Sequence, residues 1–562
     1  MDQAAIKEAS RTVDTGRLMQ TVKDLAKWVK LSGTPDELES FRYVQARMER
    51  LGFSTRLIEH DAYISLPGKA SIEVGGKEIN CITHSMSRSS PAEGTTGELV
   101  YCGAGSEADL AKRDLRGRIL LLEGMATPTM AWRASQVGAI GQIHITPDDQ
   151  LHEMCVSAVW GNPTPESKSR LPSTVLTTIS REDGALLRGM LEKGEHPKVV
   201  IHAEVDTGWR KTPILVADMD APGQGPDAPY VMFSGHIDTW YYGVMDNGAA
   251  NATMIEVAQV CTQHRAEWKR GLRLCFWSGH SHGRYSGSAW FADEYWDEID
   301  RRCVAHVNVD STGGVGANNL TIGAADPELQ GLAAEAINAE ANQKAIGRRI
   351  GRGGDESFWG VGIPSMFGAI SYQDSPDVYH LGWWWHTVHD TIDKIDPENL
   401  NRDTRVFAYT LLKLISSQII PLDYSAYAEA LLKEVADMKF DGAFTVHELV
   451  EGAKKLRDSA RALQKMSSSP RDGQAAKING ALMAMARSLV PIDCTRGDRF
   501  EHDEALALPA WPALQPIRAL AKNKSSSDDW HYQMTSARRA RNRVAFALRE
   551  ANAAAEAALA NC

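Results

Sequence analysis

PYVMFSGHIDTWYYGVMDNG, residues 229–248, decides how the rest of the chain is read. Its first seven residues form an unbroken apolar and small-residue run, bounded by Pro229 and Gly235. Such a run predicts a strand buried on both faces. His236 and Asp238 follow at once, and Asp246-Asn-Gly, eight residues beyond Asp238, opens a helical stretch at 248–261. A strand covered on both faces needs similar neighbours. LRLCFWS (272–278), CVAHVNVD (303–310) and GIPSMFG (362–368) supply them, with helices between and after, as at 403–419. The expectation is an α/β fold, a mostly parallel sheet covered by helices. In such folds ligands bind beyond the carboxyl ends of the strands.

Outward from this centre the character of the chain changes. Residues 1–92 carry helical spacing at Leu18, Val22 and Leu25, then Thr34-Pro-Asp-Glu37, a capping-box pattern with proline at the first helical position. FSTRLIEH after it reads as a strand. From 93 to 209 short β-like runs alternate with Gly and Pro, a β-rich segment inserted into the α/β pattern. Residues 210–420 hold the sheet described above. From 421 to 562 strands give way to helical stretches near 425–440, 447–465, 474–490 and 534–560. A length of 562 residues suits about three to four such domains.

Acidic residues exceed basic ones, 72 against 61, for a net charge of −11. That balance argues against a general nucleic-acid or anionic-membrane binder. RRARNR (538–543) reads as a solvated helix face, and there is no phosphate loop of the GxxxxGK[ST] type. No signal-peptide pattern opens the sequence, no apolar run reaches membrane-spanning length, and the eight cysteines form no CxxC pair. A cytoplasmic protein with reduced thiols is expected.

His236, Asp246, Asp310 and His386 each fall at a strand end or just past one. Imidazole and carboxylate suit Zn²⁺ or a related divalent ion, and one aspartate can bridge two ions. Asp238 is placed to orient His236 through its second N–H. Taken alone, an HxD is a common structural pattern; the order of the four groups is what gives it weight. Nine of the fifteen tryptophans lie between His236 and Asp390. Trp240, Tyr241 and Trp385 adjoin the proposed ligands, so they are candidate walls of a substrate pocket. Arg284 is a candidate carboxylate anchor.

That order resembles the M28 family of zinc peptidases, especially its glutamate carboxypeptidase II and transferrin receptor branch. The resemblance rests on GHIDTW, MDNGAANA, VNVDSTG, GDESFWGVGIPS and WHTVHDTIDKID. GELVYCGAGSEADLAKRDLRGRILLLEG followed by VGAIGQIHI looks like a protease-associated (PA) domain, and INGALMAMARSLVPIDC is similar to that branch's helical dimerisation domain. The resemblance implies one metal on His236, Asp246 and Asp310, a second sharing Asp246 and using His386, and a homodimer. It implies a metallohydrolase of peptide or amide bonds, acting on a peptide or small molecule through metal-activated water. Two other outcomes stay open: a binding protein without catalysis, like the transferrin receptor, and single-zinc acyl transfer, as in glutaminyl cyclases.

The chain departs from the family at one place. Where the family has a Glu-Glu pair, this sequence reads FWSGHSHGRYSGS. His280 and His282 are then each a candidate metal ligand or general base, since an unperturbed histidine titrates near pH ~6.5. Glu356 is a reserve base.

Overall fold

The computed structural model describes all residues except 112, 375–379, 468–472, 526 and 562. Strand Tyr230–His236 is buried at every position. Gly271–Trp277 lies parallel to it on one side and Cys303–Asp310 on the other. Ser365–Ala369 pairs parallel with Cys303–Asp310 and ends this side of the sheet. Val231 and Phe233 are fully buried, each worth roughly 1.5–3 kcal/mol of transfer from water. The expected strands at 229–235, 272–278 and 303–310 are therefore present within one residue. The fourth begins later than 362, because Gly362 has φ +96° and packs against the Arg487 backbone. It belongs to a turn.

The parallel array fixes where the chemistry can sit. His236 and Asp310 are the last residues of adjacent strands running the same way. Helix Ala250–Gln263 packs against both strands. Helix Pro397–Ser416 starts six residues before the expected 403, because Asp396 caps it from the backbone N–H groups of Glu398 and Asn399 and Pro397 occupies its first turn.

Two strands are far longer than expected. Ser54–Val74 and Lys198–Met219 form an antiparallel ribbon, with one register shift between Pro67 and Ala70. One end of Lys198–Met219 pairs with Gly271–Trp277. Its other end pairs with Thr95–Tyr101, which leads into the parallel strands Ile119–Glu123, Gly141–Ile145 and Val175–Ile179. The division at 209/210 thus falls inside one continuous strand. Sequence periodicity marks a strand face but not a strand's length when both faces change neighbours along it.

Helices Tyr424–Val435, His447–Ser467, Gln474–Cys494 and Asp528–Asn561 follow the sheet region. Leu431, Leu456, Leu489 and Leu548 belong to the same apolar core as Phe233 and Phe407. The seven described cysteines are buried and unpaired. Among the described residues, no helix is long and apolar enough to cross a membrane.

Candidate metal centre

His236 is buried at its strand end, and its Nδ1 lies 2.8 Å from the backbone carbonyl of Asp238. That contact commits Nδ1–H and leaves the Nε2 lone pair free. Nε2 lies 3.2 Å from Asp246 Oδ1 and 3.7 Å from Asp310 Oδ2. The other oxygen of Asp246, Oδ2, lies 3.1 Å from His386 Nε2. His386 repeats the arrangement, with Nδ1 2.7 Å from the Glu153 carbonyl. One carboxylate therefore faces two imidazoles, and each imidazole is held from behind by a main-chain oxygen.

Two residues that sequence reasoning passed over build this geometry. Asn247 donates to the carbonyls of His236 and Val309 and accepts from Ser311 N, so it ties three ligand-bearing segments together. Asp390 accepts from the backbone N–H groups of Met245 and Asp246 at 2.9 and 3.0 Å. The signal for Asp390 was present in WHTVHDT, but its partners lie about 145 residues earlier.

The donor set fits a cation. Burial by itself lowers the His236 imidazole, but the Asp246 and Asp310 carboxylates outweigh it and hold it well above its ordinary value. Burial raises the Asp246 carboxyl, and the two imidazoles reverse this and hold it well below the usual range. For His386 burial wins over Asp246, and the imidazole is lowered. His236 Nε2 is buried and makes no hydrogen bond of acceptable geometry, despite two carboxylates within 4 Å. A buried nitrogen ringed by carboxylate oxygens yet unbonded is what a metal position leaves behind.

The carboxylate of Asp238 does not orient His236. Its Oδ1 is 3.8 Å from His236 Nδ1, and the Asp238 carbonyl makes that contact instead. The side chain is taken up by the loop that departs from the family. It accepts from Ser281 N at 2.8 Å, His280 N at 3.2 Å and the Ser32 hydroxyl at 2.9 Å. His280–Gly283 is a single helical turn, and an anion at its start satisfies two otherwise unpaired N–H groups.

The turn separates the two histidines. The His280 ring stacks on His236 with centroids 3.7 Å apart, and its Nδ1 lies 2.8 Å from Asp355 Oδ2. Ligand-type atoms of His236, His280 and Asp310 lie within 4.8 Å of one another. His282 instead places Nδ1 3.0 Å from the Ser32 hydroxyl, and its ring packs on Trp240. It is not part of a metal-type cluster among the described residues. Glu356 accepts from Gly354 N and Asn308 Nδ2, and burial together with Asp355 pushes it up to about 8.

Of the aromatic candidates, Trp385 stacks on His386 at 3.6 Å, and Trp240 sits 5.7 Å from the His386 ring. Tyr241 donates its hydroxyl to Glu153 Oε1 at 2.9 Å, and the carbonyl of that same Glu153 holds His386. Arg284 lays its guanidinium over the Tyr285 ring at 4.7 Å. It makes no ion pair among the described residues, and its Nε is buried without a partner.

Residues 215–411, which contain all four metal-type residues, match peptidase family M28. That stretch, about a third of the chain, is similar to an M28 peptidase domain. The M28 match is accompanied by relatives of low identity. A probable glutamate carboxypeptidase of Zea mays is 22% identical over 72% of this chain and 67% of its own length. An aminopeptidase of Rattus norvegicus is 24% identical over 46% of this chain and 41% of its own. Among solved structures, an M28 peptidase precursor of Shewanella amazonensis SB2B superposes with a TM-score of 0.59, at 18% identity, over 74% of this chain and 97% of its own. A zinc aminopeptidase of Bacillus subtilis gives 0.56, at 18% identity, over 72% and 95%. These two likenesses are of fold. With the M28 domain, this chain is a metal-dependent hydrolase of peptide bonds whose cofactor is a divalent metal ion. Neither the binding-protein nor the acyl-transfer alternative is favoured.

Proposed function

We propose that this M28 enzyme cleaves the amide bond of a small peptide or amino-acid conjugate at one Zn²⁺ ion. His236 Nε2, Asp246 and Asp310 would hold the ion, and the His386 Nε2 lone pair faces the far oxygen of Asp246. The carrying observation is the bare His236 Nε2 facing both Asp246 and Asp310. A second ion is not part of this reading: beyond Asp246 Oδ2 and His386 Nε2 the loop offers no carboxylate where the family has its Glu pair.

When bound, the ion polarises the scissile carbonyl and makes water a stronger acid. His280 takes the proton. A ring nitrogen of His280 lies within 4.8 Å of ligand-type atoms of His236 and Asp310, and Nδ1 is anchored on Asp355, which leaves Nε2 as the nitrogen that can take a proton. His282, bonded to Ser32 behind Trp240, supports the wall and takes no proton. Trp240 and Trp385 pack on the site imidazoles and exclude water from them. Arg284, a guanidinium without a carboxylate of its own, receives one from the substrate.

A chelator-stripped sample, shown folded by circular dichroism, should lose hydrolysis of its amide substrate and regain it with Zn²⁺. Metal analysis of the active form should give one ion per chain. Undiminished cleavage by the stripped protein would overturn the reading.

A further inference from the structure

His280 lies in the loop where the family resemblance expects a Glu-Glu pair, and a neutral imidazole has a difficulty that a carboxylate does not. It has two tautomers, and only the one with a bare Nε2 can accept a proton at the metal centre. Something must select that form.

The buried groups behind His280 form a chain of hydrogen bonds. Asp355 Oδ2 lies 2.8 Å from His280 Nδ1. The other oxygen, Oδ1, accepts from the Ser288 hydroxyl at 2.7 Å. Ser288 Oγ lies 2.9 Å from Ser357 Oγ. Ser357 Oγ accepts from Trp160 Nε1 at 2.9 Å. All four partners of His280 in this chain are at most 4% exposed.

The direction of the chain follows from the Asp355 carboxylate, which only accepts. An indole N–H only donates, so Ser357 must accept there. Ser288 gives its single proton to Asp355, so it accepts from Ser357. Both Asp355 oxygens are then acceptors, and His280 Nδ1 must carry the hydrogen. Ring contacts hold the same groups: Tyr285 meets His280 edge-on at 4.9 Å and packs on Trp160 at 4.4 Å. Trp160 belongs to the inserted segment, and the Arg352 guanidinium lies over it at 4.4 Å.

We infer that Asp355 is a positioning residue that locks His280 in its Nδ1–H tautomer, and that Ser288, backed by Ser357 and Trp160, holds the other Asp355 oxygen in place. This rests on the proposed role of His280 as base, but its test does not. The pairing replaces a lost carboxylate base by an imidazole whose orientation comes from a carboxylate 75 residues later.

The test uses the full-length protein without metal, labelled with ¹⁵N-histidine. The His280 signal is identified by its loss in His280→Gln. Wild type should show Nδ1–H and a bare Nε2. In Asp355→Asn the amide oxygen is claimed by Ser288 and its NH₂ faces the ring, so His280 should switch to Nε2–H. Trp160→Phe and Ser288→Ala leave the Asp355 carboxylate in place and should keep the Nδ1–H tautomer. In the zinc-loaded enzyme, Asp355→Asn should lower kcat about 10–100-fold, the usual cost of losing such a partner, with KM little changed. A His280 that stays Nδ1–H in Asp355→Asn and in Asp355→Ala overturns the inference. An inactive wild type with the expected tautomers would instead sink the proposed function and leave the lock standing.

Discussion

At the scale of single residues, side-chain chemistry was legible and side-chain partners were not. His236, Asp246, Asp310 and His386 could be picked out by their order along the chain, although only His236 and Asp310 end strands. Their mutual geometry adds the shared carboxylate of Asp246. Asp238 shows the limit. Two residues from His236, it looked like that ring's orienter, yet its carboxylate serves the His280 turn and only its carbonyl serves His236. Arg284 carries the prediction at this scale. Replacing it by Ala removes a charge-assisted contact worth about 1.5–3 kcal/mol, so KM for a substrate with a free carboxylate should rise about tenfold or more. Blocking that carboxylate as an amide should abolish the difference between wild type and variant. Equal KM values for the free and blocked substrates in wild type would remove Arg284 from the binding site.

At the scale of elements, three of the four parallel strands were readable within a residue because an apolar run buried on both faces has no other stable use. Their separation near the site depends on Gly235. A Cβ there would lie 2.8 Å from the Val309 carbonyl and 3.1 Å from Met254 Sδ. Strand Tyr230–His236 and strand Cys303–Asp310 approach closely at this point, and they carry His236 and Asp310. Gly235→Ala should therefore cost about 1–3 kcal/mol through overpacking and also weaken zinc binding. Thermal melting and zinc titration read the two effects. A variant that melts like wild type would show that the strands can part without strain. The ribbon Ser54–Val74 with Lys198–Met219 was harder to see. Its residues change neighbours along its length, so no single periodicity covers it.

At the scale of the whole molecule, sheet region and helical region meet in a shared core that includes buried charge. Asp326, Glu328 and Asp493 are all about 1% exposed, with Arg349 as the cation paired to Asp493. Burial pushes Asp326 up to about 6 and Asp493 up to about 7, with Arg349 opposing in both. Burial, reinforced by Asp326 and Asp493, raises Glu328 well above its ordinary value, and neither of its oxygens has a hydrogen-bond partner. These carboxyls bind protons more tightly folded than unfolded. Their stabilising contribution is complete below the unfolded value near pH ~4 and is lost as pH rises through the folded values. Wild type should therefore lose stability from this cluster between about pH 4 and 7 and beyond. Glu328→Gln, which mimics the protonated acid, should melt higher than wild type at pH 8 and close to it at pH 5. A constant difference across that range would refute the assignment.

The amino-acid sequence by itself determined the α/β architecture and offered the candidate metal-type residues, because apolar runs must be buried and imidazoles and carboxylates are named by the sequence itself. It also reads GHSHG, without a carboxylate, where the family resemblance expects a Glu-Glu pair. Only the tertiary structure decided which histidine faces the centre. His280 and His282 are chemically equal and two positions apart. Their environments are set by Asp355 on a loop 75 residues later and by Ser32 from the N-terminal region 250 residues earlier. Hydrogen bonds are short-ranged and directional, so these choices arise only when distant segments are packed together, and no local pattern encodes them.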